Sequence, residues 1–102
     1  MKDKLKIYVG IDDDRYGGMT STGNIIRDGW VLGVISETQT CAGWTMHAIE
    51  DLYDKVTKAW EPYGHLVSNL PPELRERHQR IYSAAVRRAR EEGWNPELDN
   101  ED

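Results

Sequence analysis

Apolar and polar residues alternate at the start of the chain: Leu5, Ile7, Val9 and Ile11 are interleaved with Lys6, Tyr8 and Gly10. A period of two belongs to a half-buried strand, so a short N-terminal strand is predicted. The pattern then breaks into three aspartates, two glycines and the polar group Thr20-Ser21-Thr22, a composition that reads as loop.

Residues 24–37 are apolar without a clean period. Their β-branched residues suit a strand, whereas Thr22 would serve as the N-cap of a short buried helix. The helix is the reading adopted, although Gly29 and Gly33 would each weaken it by about 1 kcal/mol relative to Ala unless something packs closely there. Residues 42–60 carry a much clearer signal. Ala48, Ile49, Leu52, Tyr53, Val56, Ala59 and Trp60 recur at spacings of three and four and define one broad apolar face, and Pro62 and Gly64 end the helix. The segment "HLVSNL" reads as a bridge with one further helical turn. A last helix starts at Pro71-Pro72-Glu73, carries Leu74, His78, Ile81, Tyr82, Ala85 and Ala89 along one stripe, and stops at Gly93.

The fold class that follows is mainly α: a small three-helix domain with a short N-terminal strand. If residues 24–37 were a strand instead, the fold would be α+β, with a two-stranded hairpin packed on two helices. With 102 residues, no internal repeat and no long linker, the chain reads as a single domain over 1–102. Residues 95–102 are expected to form a disordered acidic tail.

Composition narrows the picture. Apolar residues make up 38% and the mean hydropathy is -0.73, polar for a compact domain. Four Trp and five Tyr, with no Phe, offset that deficit, so a core of few, large rings is expected. Cys41 is the single cysteine, which leaves no intramolecular disulfide. The N-terminus lacks a secretory pattern, and the longest apolar run, residues 29–35, falls far short of the roughly 20 residues that span a bilayer. A soluble, cytoplasmic protein with no membrane partner is the expectation. The net charge of -5 argues mildly against nucleic acid as the main partner.

The loop raises the sharpest chemical question. Gly18 and Gly23 have the glycine spacing of a phosphate-binding P-loop, but Asn24 and Ile25 follow where that motif needs Lys and Ser/Thr. The lysine and the hydroxyl carry the phosphate and magnesium chemistry, so the match fails where it matters. Asp12 and Asp14, at alternate positions, could hold a hard cation, yet the series of ligands ending in Glu that a calcium loop needs is absent. A connector is the preferred reading. A ligand loop using Asp12, Asp14, Thr20 and Thr22 is the alternative.

Other candidates are weaker. His47, Glu50, Asp51 and Asp54 share one face of the middle helix, without the matching ligands on further helices that a di-metal site requires. Neither a metal nor a cofactor is expected. His65 and His78 have no catalytic companions in sequence. Cys41, near the expected start of the middle helix, could gain thiolate character from the helix terminus, but no Cys-His-Asx series supports it, and no catalytic residue is assigned.

The last helix carries six arginines against two glutamates between residues 71 and 90, a local charge of +4. Arg77, Arg80, Arg87 and Arg88 share a flank that could meet an acidic partner, although the acidic loop, tail and middle helix could neutralise it internally. Trp30, flanked by Gly29 and Gly33 that would admit another backbone, is the best candidate for an aromatic anchor at an interface. The function expected is therefore a small protein-interaction or assembly module that binds a protein partner or self-associates into a homo-oligomer. An enzyme or a ligand- or metal-binding protein built on the loop over residues 12–24 ranks second.

Overall fold

The computed structural model describes residues 6–96. Helix α1 runs Ser21–Val31, α2 runs Met46–Trp60 and α3 runs Pro72–Glu91, with short 3-10 turns at Ile11–Asp13 and Arg15–Gly17 before α1 and at Glu61–Tyr63 and Val67–Asn69 between α2 and α3. The fold is mainly helical. Among the described residues the only β-pairing is one antiparallel bridge between Ile7 and Thr45.

Leu5, the first residue of the expected strand, lies outside the described residues. From Lys6 onward the chain runs alongside the turn before α2: Tyr8 N donates to the Trp44 carbonyl at 2.8 Å, and Gly43 N donates to that of Tyr8 at 2.9 Å. The alternation holds at Ile11 and is turned over at residues 7–9. Ile7 and Val9 are 48% and 57% exposed, whereas Tyr8 packs against the core and Ile11 is buried. The reason lies in the Tyr8 hydroxyl, which reaches inward to Asp14.

Residues 24–37, the ambiguous stretch, are helical as far as Val31 and then turn back. The cap is Thr20 rather than Thr22: its backbone is extended and its Oγ1 accepts from Gly23 N at 3.0 Å. Gly33 closes the helix in the left-handed region at φ 75°, where glycine carries no penalty. The chain then doubles back, with Val34 N and Ile35 N both donating to the Gly29 carbonyl.

Helix α2 begins at Met46, four residues later than its apolar pattern suggests. Cys41 and Gly43 both stand at positive φ, which excludes a helix there, and the Thr45 hydroxyl accepts from Ala48 N at 3.1 Å to cap the first turn. Ile49, Leu52, Val56 and Trp60 are buried, and His47, Glu50, Asp51 and Asp54 are exposed. Helix α3 follows its expected bounds closely: Pro72 occupies the first turn, and Gly93 turns the chain at φ 97° so that Trp94 N donates to the Ala89 carbonyl. Asn95 and Pro96 are the part of the expected tail that is described; residues 97–102 fall outside.

The core differs in kind from the rings anticipated. Its largest fully buried side chains are Ile26, Ile49, Val31, Val56 and Cys41. The aromatics surround this aliphatic centre, most of them half-buried, because several carry polar atoms that need partners. Trp30 Nε1 donates to the Gln39 carbonyl at 2.9 Å, Trp60 Nε1 to Asp28 Oδ2 at 3.1 Å, and the Tyr82 hydroxyl to Asp28 Oδ1 at 2.6 Å. Asp28 thus ties all three helices together, since it lies on α1, Trp60 on α2 and Tyr82 on α3.

The Asp28 junction yields a stability test. A hydrogen bond to a charged group contributes about 1.5–3 kcal/mol, so Asp28→Ala should lower unfolding free energy by about 2–4 kcal/mol. Trp60→Phe, at the position of a single donor, should cost less than Asp28→Ala if that bond dominates. Urea denaturation followed by circular dichroism measures both, and an Asp28→Ala midpoint equal to wild type would contradict the junction.

Candidate functional site

The loop over residues 12–24 is organised by a residue with no role in the sequence-based reading. Arg27 of α1 is 3% exposed. Its Nη1 donates to the Gly18 carbonyl at 2.8 Å and to Asn24 Oδ1 at 3.1 Å, and Nη2 donates to the Gly17 carbonyl at 3.0 Å. The Tyr82 ring lies across the guanidinium at 5.9 Å. Burial lowers the pKa of Arg27, a shift that the fields of Tyr82, Tyr8 and Asp14 oppose. A guanidinium stays charged under such conditions, and the two carbonyls supply the hydrogen bonds that water would otherwise provide. One sequence signal could have found it: Gly23, Ile26, Arg27, Trp30 and Val31 follow one another at helical spacing, so Arg27 sits on the apolar stripe.

The two glycines of the P-loop-like spacing serve this contact. Gly18 stands at φ 92°, and a β-carbon on Gly23 would collide with the Gly18 carbonyl, so the loop lies directly on the first turn of α1. The loop side chains close on one another. Asp14 accepts from the Tyr8 hydroxyl, the Thr20 hydroxyl and Arg15 N, each at 2.7 Å. Burial pushes the Asp14 carboxyl upward, but the bonds from Thr20, Tyr8 and Arg15 outweigh it and hold the group below the usual carboxylate range. Asp12 points elsewhere: its carboxylate and carbonyl accept from Arg88 at 3.0 and 2.7 Å. Thr22 lies half-buried in the first turn of α1. The structure therefore brings Asp14 and Thr20 together and directs Asp12 to α3. Among the described residues, no group of three His, Cys, Asp or Glu side chains is placed to hold a metal ion.

Three of the four flank arginines bind their own chain. Arg77 Nη1 donates to the Val31 carbonyl at the end of α1 at 2.9 Å. Arg80 forms a two-pronged pair with Glu37 at 3.1 and 3.2 Å, and Arg88 bridges Asp12 and Glu92. Exposed pairs of this kind contribute about 0–1 kcal/mol each, so together they orient α3 more than they stabilise it. Arg87 is exposed. Trp30 is half-buried and, with Gly17, Arg27, Ile81, Ala85 and Arg88, lines a cleft of about 160 Å3. Gly29 is already taken from within, since a β-carbon there would sit 3.0 Å from Ile35 Cγ1 and 3.5 Å from Val56 Cγ2, while Gly33 faces open space. Cys41 precedes α2 by five residues and is fully buried; burial pushes its thiol up to about 11.

Among the described residues and apart from Ile7, Val9 and Met46, the exposed large aliphatic residues lie on the other side of α3. Leu66 and Val67, in the connection between α2 and α3, are 55% and 38% exposed. Val67 borders a shallow groove of about 600 Å3 that α3 completes with Arg75, His78, Gln79, Tyr82, Ser83 and Val86. The His78 and Tyr82 rings stack at 4.4 Å along its floor. Through Val67, His78 and Tyr82 the groove continues into a hollow of about 480 Å3 against Ile25, Trp60 and His65. The sequence hint was slight: two adjacent aliphatics in a polar connection that periodicity treats as a bridge.

Two experiments address this arrangement. Gly→Ala in a helix ordinarily stabilises by about 0.4–1 kcal/mol, so Gly23→Ala should reverse that sign, and Arg27→Met, which orphans two carbonyls, should cost about 2–4 kcal/mol. Chemical denaturation measures both, and a stabilised Gly23→Ala would refute the close contact. The second concerns alkaline pH. Burial, reinforced by Asp14 for Tyr8 and by Asp28 for Tyr82, raises both phenol pKa values. Groups raised in the folded state stabilise it below their unfolded pKa, about 10 for Tyr, and that contribution drains away as pH climbs further. Ultraviolet titration should show Tyr8 and Tyr82 ionising only as the protein unfolds, with the delayed signal reduced in Tyr8→Phe and in Tyr82→Phe.

No family model matches this sequence, and neither the curated proteins nor the solved structures include one significantly similar to it.

Proposed function

We propose that the protein is a small cytoplasmic protein-interaction module whose recognition surface is the groove between α3 and the α2–α3 connection. One observation carries the reading: Val67 remains exposed at the edge of a groove lined by Tyr82 and Val86, and the preceding Leu66 is exposed as well. Helix-in-groove recognition uses a surface of this kind, with aliphatic anchors entering a shallow apolar channel. Exposed aliphatics next to a concave wall are also what partner burial would stabilise most, at about 25 cal/mol for each Å2 removed from water.

The loop over residues 12–24 supports the same ranking. Its convergent side chains, Tyr8, Asp14 and Thr20, spend their hydrogen bonds on one another, and Arg27 spends its own on the loop backbone. Such a knot fixes the first turn of α1 and offers few free groups to a ligand. Trp30, with its indole N–H bonded to Gln39 and Gly29 filled by Ile35, fits an internal role better than an anchor between copies.

A peptide library displayed on phage and panned against the folded protein tests the proposal. Selected peptides should shift the backbone amide resonances of Val67, His78, Ser83 and Val86, and the double variant Val67→Ser/Val86→Ser should weaken them by about tenfold, or about 1.4 kcal/mol. Resonance shifts confined to residues 12–24, produced by magnesium or a nucleotide and lost in Asp14→Asn, would overturn it in favour of a ligand loop.

A further inference from the structure

The groove has a charge pattern as well as an apolar lining. Resting on the reading above, we propose that its occupant is an acidic amphipathic helix of another protein. Arg75, Gln79, Val86 and Arg90 follow at spacings of four, seven and four along α3, so they share one edge of the helix. Arg75 lines the groove itself, and Arg90 stands one turn beyond Val86, which also lines it. Both arginines are exposed, and among the described residues neither has an ion-pair partner, in contrast to Arg77, Arg80 and Arg88. The glutamates Glu73 and Glu76 line the neighbouring hollow, which meets the groove at Gln79 and Ser83, and there they stand beside the arginines Arg77 and Arg80. Asp28, in the adjoining hollow, is already an acceptor for Trp60 and Tyr82.

The groove edge therefore carries a cation near each end, with the uncharged residues Gln79, Tyr82, Ser83 and Val86 between them. Fifteen residues separate Arg75 from Arg90, a rise of about 22 Å. A partner helix of about four turns spans that distance, with aliphatic residues at i, i+3/i+4 and i+7 facing Tyr82 and Val86 and carboxylates near each end. A second copy of this chain fits poorly on the same face. Antiparallel pairing of two α3 helices would set the Arg75 of one copy against the Arg90 of the other, and parallel pairing would set like against like, a juxtaposition that complementary interfaces avoid.

The test uses two synthetic helical peptides of about 15 residues. They share identical Leu and Ile positions, and the remaining positions carry Glu in one and Lys in the other. Fluorescence anisotropy with the full chain should show the Glu peptide binding about tenfold more tightly, with affinity that falls as salt is added. Arg75→Glu and Arg90→Glu, both at exposed positions, should each weaken it about fivefold without lowering the melting temperature. Equal binding of both peptides, abolished in Val67→Ser/Val86→Ser, would overturn the acidic partner while leaving the groove as a docking surface. Binding of neither peptide would also overturn it. A concentration-dependent dimer by light scattering, dissociated by Arg75→Glu, would do the same by naming a second copy as the occupant.

Discussion

A guanidinium without a carboxylate partner among the described residues, sealed under a tyrosine ring, sets the terms for the N-terminal third of this molecule. Desolvating Arg27 is costly, and the cost is offset only if two carbonyls are brought to it in fixed positions. That requires Gly17 and Gly18 to take left-handed backbone angles. It requires Gly23 to lack a side chain, so that the Gly18 carbonyl can lie against α1. With the loop held there, Thr20 falls at the cap, Asp14 meets the Thr20 hydroxyl, and Tyr8 closes the set. One desolvated charge thus propagates into the path of some twenty residues.

The helix that carries Arg27 is also the shortest of the three and the one the others rely on. Helix α1 packs against both α2 and α3, and its two interior glycines let the flanking loops lie on it, the Gly18 carbonyl at Gly23 and Ile35 at Gly29. Two glycines in eleven residues make a poor helix in isolation. Its helicity is a product of what surrounds it.

This explains what was legible in the sequence. Helices α2 and α3 each bury one stripe, so their 3.6-residue period survives in the residue pattern, and Pro62, Pro72 and Gly93 mark ends that hold in the structure. Helix α1 is covered on more than one side, so its stripe, broken by Arg27 and two glycines and followed directly by the apolar residues 32–35, is faint; both a helix and a strand could be read from the same letters. Helix α2 starts later than the apolar spacing implies because Cys41 and Gly43 adopt positive φ, which that spacing does not encode. The N-terminal alternation marks the buried side correctly at Ile11 but not at Ile7 and Val9, because Tyr8, polar at its tip, reads as an interruption and is in fact the inward residue. The arginine flank was legible as a cluster, but its partners, Glu37, Asp12 and the Val31 carbonyl, are brought near by the fold alone. The groove was illegible for the opposite reason: it is made by what α3 and its preceding turn fail to cover.

Cys41 has a consequence of a different kind. It is fully buried at positive φ, and its thiol is pushed to about 11, so near neutral pH it presents neither accessible sulfur nor appreciable thiolate. Its neighbours in the chain are anchored to the N-terminal segment through Tyr8 and Ile11. Covalent labelling of this sulfur therefore has to wait for that packing to open, and its rate counts openings rather than encounters with reagent. The chain carries, at one position, a built-in clock for its own breathing.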